Sequence, residues 1–144
     1  MKAKEFLGQL KKLDKLIQNK LIEKNQWKMI ATGTTAQMGG ERVQSSGSQQ
    51  KMADAVGRYV DIEKDIDKVI DKLIDTKQDV INVIEQLDAA EYDLLHMVYV
   101  QYLTLYEVAD IYDKSYSWVT TTHGRGLKHV QDILDGRKDE KCMN

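Results

Sequence analysis

From Lys51 onward the apolar positions fall into a strict repeat. Met52, Tyr59, Ile66, Leu73, Val80 and Leu87 recur every seven residues. Val56, Ile70 and Ile84 lie four further on, and Ile62, Val69 and Val83 three further on. Apolar heptads held in register this long predict one long helix over about residues 51–87 with a coiled-coil-like seam. Upstream, Phe6, Leu10, Leu13, Ile17 and Leu21 form a helical stripe through residues 2–31. Between the two, residues 32–50 hold Gly33, Gly39, Gly40 and Gly47 among serines and glutamines, the composition of a flexible loop. The chain has no proline, so nothing in it forbids long unbroken helices.

After residue 87 the pattern shortens. Asp88 is placed to cap a helix running through Tyr92, Leu95, Val98 and Tyr99. Thr104 and Glu107 make the S/T-x-x-E pattern of a capping box, so a second short helix starts there. Asp113 and Lys114 interrupt it, and Ser115 can cap a third. Val108, Val119 and Leu127 are spaced to share one core, and Ala109 supplies the small side chain a close helix crossing needs. Two helices joined by such a turn predict a helix-turn-helix, whose second helix is the one that enters a DNA major groove.

The expected architecture is therefore all-α. A long antiparallel helical hairpin over residues 1–87 precedes a helix-turn-helix module over 88–136, and 137–144 form a polar tail. Charge favours the hairpin. Residues 1–31 hold eight lysines against three acids, and residues 51–88 hold six basic against ten acidic side chains. Each rim ion pair adds only a few tenths of a kcal/mol, so the apolar stripe carries most of the stability. Pairing the second helix with its copy in another chain, as in a homodimer, would set acidic rim against acidic rim.

Composition narrows the function classes. At 144 residues the chain suffices for one domain or two small ones. No stretch approaches the ~20 apolar residues of a membrane span. Lysines and Gln9 interrupt the leucines after Phe6, which is not a signal-peptide core. The lone Cys142 cannot form an internal disulfide, which suits a reducing cytoplasm. Catalytic signatures are missing. Gly33–Gly40 lacks the Gly-Lys-Ser/Thr ending of a phosphate loop. Asp61, Glu63 and Asp65 alternate with lysines as a solvated helix face does. His123, His129 and Cys142 have no metal-ligand spacing. The expectation is a non-enzyme without metal or cofactor.

The segment from Leu87 to Val130 resembles the fourth region of bacterial sigma factors, the helical module that reads the promoter −35 element. The resemblance rests on Thr-Leu-x-Glu-Val-Ala at Thr104–Ala109, Ser115, Val119, and Arg125 followed by Leu127. The whole chain is similar to small phage and prophage proteins of Gram-positive bacteria of the RinA, ArpU and LtrC type. Arg42-Val43-Gln44-Ser45-Ser46 and Lys51-Met52-Ala53 resemble a motif of that family. The resemblance implies an activator of phage late genes that binds double-stranded DNA near a promoter and works with host RNA polymerase. Arg42, a motif residue in a loop, is the expected partner contact.

On that reading the DNA-facing residues are Ser115, Tyr116, Ser117, Trp118, Thr120, Thr121, Arg125 and Lys128. Val119, Leu127 and Val130 would define the inward face of the same helix. Trp118 can reach a base or pack on the helix after Asp88. Gly124 and Gly126 can admit a phosphate backbone or a neighbouring helix, and the second is the simpler use. Sigma factors open this helix with arginines, and here hydroxyls and aromatics stand in their place, so bidentate guanine readout is absent from the first turn. Residues 89–144 carry six basic and nine acidic side chains. A few phosphate contacts give weak, salt-sensitive affinity, so occupancy would need a dimer or polymerase as a second tether. The alternative is a protein-interaction module that binds polymerase or a sigma factor without reading DNA.

Overall fold

The structure is a computed structural model that describes residues 1–33 and 46–143. Among these it is all-helical, without a strand. Five α-helices follow in order: α1 (Ala3–Ala31), α2 (Ser46–Ile84), α3 (Ala89–Leu95), α4 (Leu105–Tyr112) and α5 (Tyr116–Met143), with a π-helical turn at His96–Val100 between α3 and α4. No helix among the described residues is long and apolar enough to cross a membrane. Helix α2 starts at Ser46, so the expected loop is shorter at its end than residue 50. Helix α5 runs through the polar tail to Met143. Arg42 lies outside the described residues.

The chain divides into two compact units that cut across the boundary expected at residue 87. Unit 1 is Met1–Lys12 with Leu73–Asn144, and unit 2 is Leu13–Lys72. Unit 1 holds the main core. Leu7, Leu10, Val80, Val83, Ile84, Leu94, Leu95, Val108, Val119 and Val130 are buried there. The start of α1 is tied to α5 by the Ala3 N–H, which donates to Gln131 Oε1 at 2.8 Å. Arg137 Nη2 meets Asp79 at 2.9 Å, joining α5 to α2.

Unit 2 is thinner, with Ala55 and Ile66 as its buried apolar residues among those described. Polar contacts also join its helices. Lys24 Nζ lies 3.0 Å from Glu63, Lys20 Nζ 3.9 Å from Asp65, and the Arg58 guanidinium stands 5.6 Å from the Trp27 ring centre. The pairs run in opposite order along α1 and α2. The Glu63 hydrogen bond and charge outweigh desolvation and raise the Lys24 ammonium above its ordinary value.

The heptad of α2 turns inward over its middle and C-terminal part, whereas Met52 at its start is exposed and Leu87 lies beyond the end of the helix. Ile66 and Val80 are buried, and Tyr59 and Leu73 are half-buried. Positions three further on also turn inward (Ala55, Ile62, Val69 and Val83), whereas of those four further on Val56 and Ile70 are exposed and Ile84 is buried. Helix α1 departs from the apolar stripe. Leu21 is 47% exposed, and Lys20 and Lys24 take the half-buried positions beside Trp27. A stripe drifting at 3.6 residues per turn leaves a seam that repeats at 3.5, and long lysine stems can cover the gap.

Candidate nucleic-acid interface

Local chemistry sets every helix start in the C-terminal segment. The Glu91 N–H donates to Asp88 Oδ1 at 2.9 Å and starts α3. The π-helical turn then lets the Gln101 N–H reach the His96 carbonyl at 3.0 Å, and Tyr102 turns left-handed at φ 62°. The Thr104–Glu107 capping box is complete, with the Glu107 N–H 3.2 Å from Thr104 Oγ1 and the Thr104 N–H 3.4 Å from Glu107 Oε1. Helix α4 ends in Asp113 at φ 52°, and the Lys114 N–H returns to the Ala109 carbonyl at 3.1 Å. That is a Schellman closure built on aspartate, a residue that visits the left-handed region more readily than most. Ser115 Oγ then accepts from the Trp118 N–H at 3.1 Å and α5 begins.

Packing sorts the faces of α5. Val119, Thr122, Gly126 and Val130 are buried, and Leu127 is half-buried. Thr122 fills an inward position that the apolar pattern left unassigned. Gly126 lets α5 close on α3: a Cβ there would stand 3.2 Å from Leu95 Cδ1. At Gly124 a Cβ would meet nothing within 4 Å, so no helix contact in the structure explains that glycine.

Outward stand Tyr116, Ser117, Thr121 and Lys128, all exposed along the first four turns. Thr120 is half-buried, and its hydroxyl donates back to the Ser117 carbonyl at 3.0 Å. Ser115 is exposed, with its hydroxyl spent on the cap. Trp118 is half-buried and packs at a tilt on Tyr112 of α4, ring centres 5.6 Å apart, with Lys114 Nζ 5.8 Å from its ring. Trp118 thus packs on α4 and against the core cluster that holds Leu94 and Leu95 of α3.

Arg125 has an intramolecular partner. Its Nε lies 3.4 Å from Glu91 Oε1, and His129 Nδ1 lies 2.9 Å from Glu91 Oε2. The Glu91 side chain is 1% exposed, and that of Arg125 is 54% exposed. A buried carboxylate requires such partners. The guanidinium thus steadies Glu91 from one edge while the side chain as a whole stays more than half exposed. Glu91 shares the inward face of α3 with Leu94 and Leu95, and an acid at an apolar face position was the sequence signal that a cation must meet it.

Two further residues bear on this surface. Tyr106 of α4 and Tyr116 of α5 stack face to face, ring centres 4.3 Å apart at 12°, and both are exposed. Tyr106 was not among the expected contacts, although Leu105, Val108 and Ala109 pointing inward leave position 106 facing out. Behind the surface, the Tyr99 hydroxyl lies 2.8 Å from His123 Nε2. Desolvation, aided by the Lys4 charge, pushes the His123 imidazole below its ordinary value.

No family model, curated protein or solved structure matches the chain significantly.

Proposed function

We propose that this protein is a DNA-binding transcription regulator, an activator of phage genes that acts near a promoter with host RNA polymerase. On this reading α1 and α2 form an antiparallel hairpin, supported by the opposed order of their ion pairs. Helices α4 and α5 form a helix-turn-helix with α5 as the recognition helix. The observation that carries the reading is the outward face of α5. Ser117, Thr121 and Lys128 are exposed on it, Arg125 is half free beside them, and no acid falls between Ser115 and Gln131. Such a face offers hydroxyls to base edges and cations to phosphates, with discrimination weaker than arginine would give. The test is a gel shift against phage genome fragments, with and without host polymerase. Salt-sensitive, fragment-selective retardation supports the reading, and its absence under both conditions rejects it.

A protein-interaction reading is favoured by one observation, the exposed Tyr106–Tyr116 stack. Aromatic side chains are enriched at the centre of protein interfaces. Retention of polymerase or a sigma factor by the chain without DNA, lost in Tyr106→Ala, would select that reading.

A further inference from the structure

Unit 2 carries large apolar side chains that are exposed. Leu21 and Ile22 on α1 are 47% and 59% exposed, and Val56, Val60 and Ile70 on α2 are 49%, 39% and 36% exposed. Apolar residues scattered singly on a surface need no explanation, but clustered ones do. These form two patches, one per helix, with borders of opposite charge. One helical repeat either side of the α1 patch stand exposed Lys15 and Lys28, on a segment with a lysine surplus. Between and beyond the α2 residues stand exposed Asp67 and Asp71. Beside Asp67 a shallow pit of about 220 Å³ opens, lined by Lys24, Glu63, Ile66 and Asp67.

The two patches suit each other, yet cannot meet within one chain, because both lie outside the seam that already joins α1 to α2. We propose that they form a homodimer interface in which α1 of one copy packs on α2 of the other, with Ile22 directed at the pit. A two-fold axis satisfies both contacts at once, since the same pair of surfaces is used twice. It sets the lysine border of each copy against the aspartate border of its partner. Pairing α1 with α1, or α2 with α2, would oppose like charges. The inference goes beyond the regulatory reading and does not depend on it.

The test is the mass of the full chain by sedimentation equilibrium at tens of micromolar, without DNA. The expected value is twice the 16.5 kDa of one chain. Ile22→Glu and Val60→Glu each weaken the dimer by about tenfold or more and leave the far-ultraviolet circular dichroism unchanged, because both side chains are exposed. Lys15→Glu with Lys28→Glu also weakens it. Adding Asp67→Lys and Asp71→Lys to that same chain restores it, because the charges again oppose. A single-chain mass for the unaltered protein overturns the proposal. So does a dimer indifferent to Ile22→Glu and Val60→Glu, or one that the fourfold charge reversal fails to restore. A gel shift given by an unaltered chain of single-chain mass would leave DNA binding standing while the dimer proposal falls.

Discussion

The outward side chains of α5 divide into those that are free and those that are spent. Lys128 is exposed and makes it the cleanest probe of phosphate contact. If the proposed DNA binding holds, Lys128→Ala should weaken it about equally across sequences and lower the salt slope by about one, measured by titration at several salt concentrations. Thr121→Ala should instead change the ranking of sites at fixed salt. Arg125 is a poor probe by itself. Its removal strips a cation from buried Glu91, so lost affinity would be mixed with lost stability. The two glycines separate just as clearly. Gly124→Ala should stabilise the fold by about 1 kcal/mol in chemical denaturation, the ordinary helix-propensity gain. Gly126→Ala should fall short of that gain, since its Cβ meets Leu95 Cδ1 at 3.2 Å. Loss of DNA binding in the stabilised Gly124→Ala protein would show that the bare backbone there admits a partner. His123 adds a pH dependence. Its folded pKa lies below the ordinary 6.5, so the unfolded chain binds the extra proton first. Stability should hold above pH 6.5 and decline as pH falls from there to the lowered folded value. His123→Gln should flatten that limb of a pH-stability curve.

At the scale of elements, the short helices depend on their ends. Helix α4 spans only Leu105–Tyr112, too short to persist without tertiary contacts, so its capping box and left-handed closure matter more than in α1 or α2. Thr104→Ala should cost about 1 kcal/mol, and Ser115→Ala a similar amount, by urea unfolding monitored in the far ultraviolet. Asp113→Gly should be tolerated or mildly stabilising, because glycine enters the left-handed region without a Cβ penalty. These caps were legible in the sequence, since each needs only the residue at one position and an N–H two or three residues on. The π-helical turn at His96–Val100 was not. It widens one turn by a residue, and local composition does not mark where neighbouring helices will demand that.

Across the whole molecule the two units differ in how they are held. Unit 1 buries a contiguous apolar core, whereas unit 2 relies on half-buried seam residues and solvent-facing ion pairs. Exposed pairs of that kind add little and are screened by salt. Hydrogen exchange should therefore be faster at backbone amides of residues 13–31 and 49–72 than in α3 and the first half of α5. Equal protection of both sets would contradict this ordering.

Taken alone, the sequence determined whatever depends on spacing along one chain. The all-helical class follows from it, as do the starts of α3, α4 and α5, the inward turn of Val108, Val119 and Val130, and the heptad of α2. Periodicity and capping are local, so their signals survive without coordinates. Tertiary structure decided where distant residues compete for one place. Lys20 and Lys24 displaced Leu21 from the α1 seam because the partner helix fixes the repeat. Glu91 claimed one edge of Arg125, Tyr112 claimed Trp118, and Tyr106 met Tyr116 across the turn. Leu95 crowds the position of Gly126 and leaves that of Gly124 open. Each of these joins residues on different helices, and the energy of such a contact depends on geometry that no single helix specifies.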